Sequence, residues 1–243
     1  MPSYSQYLDD VAKRIQDAAG KLDPAVIDRL TQQAITQRYS KDRPLEVVAD
    51  VAGNGTNNLA LPTGSLTFNS VVTSFTFEDG FSVVMEIEFP AGQVPPNWLR
   101  DEEWHMYKTP TGLGIQILDS APQATDTLRI TWTARHLPDG SSVFPSDYEA
   151  VCDYAAGLCC EALAAIYAQT GDSTAQADVV NYRSKSSEYL KLSGALKTRY
   201  YEHVGVEPDK EGETMGGPAL AIGEQHWGLG AGVDRLTHPR YSR

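Results

Sequence analysis

The longest helical pattern in the chain is YEAVCDYAAGLCCEALAAIYAQ, residues 148–169. Its large apolar side chains recur every three or four residues, which is the period of an α-helix with one buried face. Ser146 and Glu149 precede and open this run with the spacing of a capping box, in which each side chain satisfies a free amide. We therefore predict a helix from Ser146 to Gln169, about 35 Å long.

A second helical pattern follows the break at Gly171-Asp172-Ser173. From about Thr174 to Tyr201, large and small side chains alternate along one stripe, so that a neighbouring helix can approach closely. The two patterns together predict a helical hairpin over residues 141–204. The residues that we expect to make contacts within the bundle or between subunits are Tyr154, Leu158, Tyr182, Tyr189, Leu196 and Tyr200.

The N-terminal part of the chain also has a helical period. Tyr4 to Gly20 is amphipathic and ends on a glycine suited to a C-cap. Asp23-Pro24 then supplies a capping carboxylate and a proline at the first helical position, and the pattern continues to about Tyr39. We assign residues 1–42 to two helices that join the hairpin in one bundle.

Residues 43–140, between the two helical parts, have the alternating or continuous apolar runs of β-strands. Turn sequences separate these runs, among them Gly53-Asn54-Gly55 and Pro95-Pro96-Asn97. Asp79-Gly80 favours a type I′ turn, so we predict an antiparallel hairpin between Val71–Phe77 and Phe81–Phe89. The predicted strands are Leu45–Val51, Leu66–Phe77, Phe81–Phe89, Trp104–Thr109, Gly114–Leu118 and Leu128–Ala134.

Residues 205–243 are rich in glycine and have neither period. Such a segment buries too little apolar area to offset its own ordering entropy. It nevertheless contains a tryptophan and several aliphatic side chains, which a purely solubilising tail does not need. We therefore predict an extended arm that orders against a partner protein, with anchors at Leu220, Ile222, Trp227, Leu229, Val233, Leu236 and Tyr241. The predicted fold is thus α+β, an antiparallel-type helical bundle with an inserted small antiparallel β module and this C-terminal arm.

Charge and composition exclude several functions. The formal net charge is −12 and the sequence pI is near 4.8, so phosphate backbones and anionic membranes should repel the protein. No run approaches the ~20 apolar residues of a membrane span, and residues 1–5 lack a signal-peptide pattern. Three cysteines in one helix lack the spacing of a zinc or disulfide framework, and we expect them to be reduced core thiols: Cys152, Cys159 and Cys160.

Patterns that would carry chemistry are weak, and we predict neither an enzyme nor a cofactor or metal site. Gly53-Asn54-Gly55 lacks the lysine and the helix of a phosphate-binding loop, so it indicates a turn. The histidines are scattered along the chain. Cations of the last helix are interleaved with tyrosines, but Glu188 and Glu202 dilute them and the whole chain is acidic, which favours a solvated or subunit-facing side over a nucleic-acid surface. Two alternatives stay open. The first is a carbohydrate- or receptor-binding face around Trp98, Trp104 and Tyr107, and the second, which fewer residues favour, is a hydrolase.

The order of elements resembles the head-to-tail adaptor, or connector, proteins of tailed bacteriophages. The segments most similar to that family are LTQQAITQRYSKDRP at Leu30–Pro44 and the hairpin at Tyr148–Tyr200. The resemblance covers about half of the chain and is a pattern of helices. The β module of residues 43–140 and the long arm depart from the smallest members of that family.

The resemblance implies a virion structural protein at the head–tail junction, assembled in the host cytoplasm. Neighbouring subunits would form a ring, usually twelve-fold, beneath the portal protein, and the arm at 205–243 would dock onto the portal. The ring would extend the DNA channel, through which genomic DNA passes without specific binding, and would attach a neck or tail-completion protein. A surplus of acidic residues suits such a channel, because negative walls let the duplex slide.

Overall fold

The computed structural model describes residues 2–17, 20–68, 70–109, 112–118, 120–169 and 182–206. These residues form a mixed α+β fold with four helices and three small antiparallel sheets. The chain divides into two compact units. The helical unit comprises Met1–Arg43 with His136–Arg243, and the β unit comprises Pro44–Arg135.

Helix α1 spans Tyr4–Ile15 and buries Tyr7, Val11 and Ile15, which lie four residues apart on one face. The Gln6 side chain accepts a hydrogen bond from the Ser3 amide at 2.7 Å and so satisfies a free donor at the helix start. The helix ends earlier than the predicted Gly20, because Gln16 adopts the left-handed conformation with φ of 53°.

Helix α2 begins at Pro24 as predicted, and the Asp23 carboxylate accepts from the Ala25 amide at 2.8 Å. The α-helical part, Pro24–Gln33, is followed by a π-helical turn over Ala34–Tyr39 and a last turn over Ser40–Asp42. The predicted end at Tyr39 is therefore about one turn short. The π-turn widens the helix just before its end, where the buried Tyr39 and Asp42 lie.

Helices α3 (Tyr148–Gln169) and α4 (Tyr182–Val204) pack antiparallel, and the predicted start of the last helix at Thr174 lies outside the described residues. Small residues permit the close approach: a Cβ added at Gly157 would lie 3.0 Å from Lys197 Cγ and 3.4 Å from the Ser193 carbonyl oxygen. The predicted capping box before α3 is wrong. Pro145–Asp147 forms a 3₁₀ turn, and the Ser146 hydroxyl donates instead to Asp147 Oδ1 at 2.9 Å.

Helix α3 is the central element of the helical core, which also contains side chains from α1, α2 and α4. The span Pro145–Gln169 is, among the described residues, the one helix long and apolar enough to cross a membrane by length and composition. The sequence prediction overlooked this helix when it found no such run. In the structure 61 % of that apolar window is buried, as expected for a core helix.

The described residues of the β unit form eight strands: β1 (Leu45–Ala52), β2 (Asn58–Ala60), β3 (Thr63–Phe68), β4 (Val71–Thr76), β5 (Val84–Glu88), β6 (Trp104–Thr109), β7 (Gly112–Ile117) and β8 (Thr127–Ala134). Their orders are β1-β8-β5, β2-β7-β6 and β3-β4, and every pairing is antiparallel. Strand β8 is central in the first sheet and buries Leu128, Ile130 and Trp132 completely.

The predicted hairpin across Asp79-Gly80 is wrong. Gly80 does turn with φ of +84°, but β4 pairs with β3, and β5 pairs with β8 through Ile87 and Ile130. The predicted strand Leu66–Phe77 is two strands, because the chain reverses at Ser70 with φ of 66°. Burial explains the outcome, since Ile87 and Ile130 are both fully buried in the first sheet. A turn signal specifies a reversal of the chain and does not specify which strands pair.

Candidate functional site: the anchored end of the last helix

The largest concentration of buried polar side chains described in the helical unit surrounds the C-terminal end of α4. Two carboxylates, Asp42 and Asp147, lie there with side chains 0 % and 1 % exposed. Asp42 ends α2, and Asp147 lies in the 3₁₀ turn that leads into α3. A buried carboxylate is costly unless hydrogen bonds and charges compensate it, so the partners of each group define this site.

Asp147 has four partners. Its Oδ2 accepts from Tyr39 Oη at 2.8 Å and from Arg43 Nη1 at 2.9 Å. Its Oδ1 lies 2.9 Å from Ser146 Oγ and 3.1 Å from His203 Nε2. Burial alone would raise the pKa of Asp147, but the hydrogen bonds from Tyr39, Ser146 and His203 and the charge of Arg43 lower it below its usual value. The group is therefore a stable anion at neutral pH.

Asp42 is less fully compensated. Its Oδ2 accepts from Tyr200 Oη at 2.7 Å and from Arg38 Nε at 2.7 Å. Burial raises the pKa of Asp42, and these two partners only partly oppose that effect. Within the described residues, Asp42 Oδ1 and Arg38 Nη2 are buried without a hydrogen-bond partner. The hydrogen bond from Tyr200 to Asp42 therefore connects α4 to the end of α2, although the buried Asp42–Arg38 pair is incompletely hydrogen-bonded.

His136 connects the segments on either side of the cluster. Its amide donates to Ser40 Oγ at 2.9 Å, and its Nε2 lies 2.7 Å from the Arg43 carbonyl oxygen. Its Nδ1 lies 3.0 Å from the Ser142 carbonyl oxygen and 3.1 Å from Ser142 Oγ. A neutral ring with its proton on Nε2 donates to the Arg43 carbonyl oxygen and leaves Nδ1 to accept from the Ser142 hydroxyl. Burial lowers the pKa of His136 to about 4, against the weaker effect of its backbone hydrogen bonds.

The end of α4 is held by this cluster and by its own cap. The Gly205 amide donates to the Tyr201 carbonyl at 2.9 Å, and Gly205 has the positive φ of +76° that a helix-ending glycine supplies. Arg43 Nη2 reaches the Val204 carbonyl at 3.4 Å, and both Val204 and Val206 are buried. The described part of the chain therefore ends at Val206, directly after a firmly held helix end.

The chemistry of this cluster is that of an anchor. Its carboxylates are buried and bound by tyrosine hydroxyls and guanidinium groups, so they are not presented to a substrate. Burial raises the pKa of Tyr39 and Tyr200, whose hydroxyls both donate to carboxylates, and these phenols stay protonated. In the described residues no group of three histidine, cysteine or carboxylate side chains is placed to hold a metal ion.

The residues predicted from the sequence as bundle or subunit contacts lie mostly in the helical core. Leu196 and Tyr200 are buried, and Leu158 is partly buried against the same core. Tyr154 lies with its ring centroid 4.9 Å from that of Tyr200, and Tyr189 stacks on Tyr167 at 5.5 Å. Tyr182 is the first residue of α4, and its side chain lies outside what the structure describes. The predicted arm anchors, Leu220, Ile222, Trp227, Leu229, Val233, Leu236 and Tyr241, also lie outside the described residues.

No protein-family model, curated protein or solved structure matches this chain. The functional assignment therefore depends on the geometry of the chain and on the order of its elements.

The three cysteines are free and buried, as predicted. Burial raises the pKa of Cys152 to about 11, of Cys159 to about 12 and of Cys160 to about 11. Thiols of this kind pack like small apolar side chains and form little thiolate at neutral pH. They contribute to the core of α3.

The aromatic side chains of the alternative binding face are partly accessible. Trp98 is 47 % exposed and forms an isolated bridge with Glu88, and Tyr107 on β6 is 41 % exposed. Trp104, at the start of β6, is half-buried. One nearby carboxylate already has a backbone partner, since Glu103 Oε2 accepts a hydrogen bond from the Arg100 amide at 2.7 Å. The open faces of Trp98 and Tyr107 keep a ligand-binding alternative in view.

Sequence reasoning missed the buried polar cluster. Asp42 lies far from His136 and Asp147 in the chain, and each of the three resembles an ordinary loop or cap residue. One signal was present: Tyr39, Asp42 and Arg43 stand within one turn at the exit of α2, where a solvated helix end does not need an aromatic hydroxyl. Apart from Arg38, the hydrogen-bond partners of these side chains are more than ninety positions away, so only the folded chain identifies them.

Proposed function

We propose that this chain is a virion structural protein, a subunit of the head-to-tail adaptor ring of a tailed bacteriophage. The observation that carries the proposal is the construction of the helical unit. Helices from both ends of the chain, Tyr4–Asp42 and Tyr148–Val204, share one core, and the whole β unit lies between them in the sequence. This is the order of elements on which the family resemblance depends.

The helical unit has features suited to a ring. Helices α3 and α4 are long and closely packed. Leu190 on α4 is a large apolar residue, yet its side chain is 54 % exposed. Ring subunits meet through two different surfaces that close by rotation, so an exposed apolar residue on a long helix supports a contact with a neighbouring subunit. The net charge of −12 suits a channel for DNA that must pass without binding.

The anchored end of α4 supports the proposed docking arm. Residues 207–243 begin where Arg43, Val204 and Val206 fix the end of the helix. An arm with a fixed origin searches a smaller volume for its site than one leaving a frayed helix, which raises its effective concentration at the portal. We assign portal docking to the arm, attachment of neck or tail-completion proteins to the ring, and no catalytic step to any residue.

Truncation after Val206 tests this function and keeps the cap at Gly205 in place. We expect the truncated protein to retain the far-ultraviolet circular dichroism and melting temperature of the full chain, because the helical core is unchanged. It should fail to bind portal-bearing heads in a pull-down and fail to complete infectious particles. The double variant Trp227→Ala/Leu229→Ala should weaken both, whereas Gln225→Ala is the matched control and should not. Normal docking by the truncated protein contradicts the proposal.

A second candidate, a carbohydrate- or receptor-binding module, is favoured by the exposed faces of Trp98 and Tyr107. Aromatic faces stack on sugar rings, and neighbouring carboxylates accept their hydroxyl groups. A glycan array probed with the intact protein tests it. Binding that is lost in Trp98→Ala and kept in Val94→Ala, which removes a side chain 97 % exposed in the same unit, favours this alternative. No binding to any glycan removes it.

A further inference from the structure

Strand β4 is a free sheet edge. It belongs to a sheet that, in the described part of the chain, contains only β3 and β4. Their register is continuous from Thr63 opposite Thr76 to Phe68 opposite Val71, with no bulge. In an antiparallel pair, alternate residues point their N–H and C=O groups away from the partner strand. The outer edge of β4 therefore presents a row of unused backbone donors and acceptors.

The hairpin is fixed to the β unit through one face only. Phe75 is buried and lies in edge contact with Phe68 at 6.1 Å between ring centroids. Gly64 on β3 approaches the first sheet so closely that an added Cβ would lie 2.7 Å from both Val47 and Trp132. This packing covers one face and one strand, and it positions β4 as a firm, accessible edge.

The opposite face and the tip of the hairpin are open and partly apolar. Val71 is 63 % exposed and Val72 is 67 % exposed. Exposed β-branched residues beside an unpaired strand edge are the features that natural proteins avoid when the edge must stay alone. Both are present here without the usual protection by lysine, proline or a bulge.

Charge identifies the occupant of this edge. Residues 51–77 contain no charged side chain, whereas 21 % of the residues in the whole chain are charged and the net charge is −12. Two copies of so acidic a chain repel each other over most of their surfaces. The hairpin is a surface on which two copies meet without like charges facing each other, and it offers no charged side chain to pair with a basic partner.

We infer that the free edge of β4 pairs with the β3–β4 hairpin of a second copy of this chain. Backbone hydrogen bonds along the edge would supply affinity, and Val71 and Val72 would be covered on the partner. The inference does not depend on the proposed phage function, because it concerns contact between copies and does not involve the portal.

Val72→Lys is the test variant, because an edge lysine is the usual device against strand pairing. Val94→Lys is the matched control, since it makes the same change at a side chain 97 % exposed in the same unit. Sedimentation velocity of the full chain over a concentration series measures the assembly. We expect the wild-type protein and Val94→Lys to associate equally, and Val72→Lys to raise the dissociation constant about tenfold or more.

Hydrogen exchange adds a readout of the backbone contact itself. Amides of residues 71–76 should exchange more slowly as the wild-type concentration rises, and this dependence should vanish in Val72→Lys. Unchanged circular dichroism and melting temperature in the variant establish that it is folded. A wild-type protein that stays monomeric, or an assembly equally strong in Val72→Lys, overturns the inference. Tail attachment plays no part in these measurements, so the adaptor proposal can fail while this one stands.

Discussion

Acidification should destabilise the helical unit through His136. The ring is 2 % exposed, and burial lowers its pKa from the ordinary 6.5 to about 4. Between these values the unfolded chain binds a proton that the folded chain excludes. The free energy of unfolding therefore decreases as the pH is lowered. The contribution of His136 is complete above pH 6.5 and is lost progressively as pH falls towards 4.

The size of the effect follows from the two pKa values. A difference of one unit corresponds to about 1.4 kcal/mol, so the full loss below the folded pKa is about 3 kcal/mol. At about pH 5, where the unfolded histidine is almost fully protonated and the folded one is still neutral, the loss is about 2 kcal/mol. Other groups also contribute to the pH dependence, among them Asp42, whose pKa is raised by burial, so a comparison of variants is needed.

Urea unfolding of wild type and His136→Gln, followed by helical circular dichroism at about pH 7.5 and about pH 5, isolates the contribution. The glutamine variant will be less stable at neutral pH because it loses the bond to Arg43 or Ser142. Its deficit relative to wild type should shrink by about 2 kcal/mol at pH 5. His105→Gln, the same replacement at an exposed position on β6 in the other unit, is the control for the substitution itself. An equal deficit at both pH values refutes the role assigned to His136.

Three further outcomes test the packing around the helices. Tyr200→Phe removes a donor from the buried Asp42 and should lower the unfolding free energy by about 2 kcal/mol in urea, with Tyr201→Phe as a control. Gly194→Ala, which meets no atom within 4 Å, should raise the melting temperature by the equivalent of about 1 kcal/mol, whereas Gly157→Val should lower it through overpacking against Lys197. A thiol reagent should modify the native protein far more slowly than the urea-unfolded chain, because burial keeps three thiols protonated: Cys152, Cys159 and Cys160.

Local patterns in the sequence predicted much of the fold. The start of α2 at Asp23-Pro24, the end of α3 at Gln169 and the buried cysteines were all correct, because caps and helical spacing act over a few residues. Strand positions were also mostly correct, since burial of alternate residues leaves its mark locally. The end of α1 was not, because the left-handed Gln16 ends the helix without any glycine.

Pairing and polar partnership were decided by the tertiary structure alone. The turn at Asp79-Gly80 was correct as a turn, yet burial of Ile87 against β8 outweighed the hairpin that it suggested. Asp147 lies within the segment for which a capping box was expected, so its role was not predicted. Its partner Tyr39 is 108 positions away in the sequence. The composition of a segment determines which faces must be buried, whereas the partner that buries a strand or compensates a carboxylate is selected by the free energy of the whole packed unit.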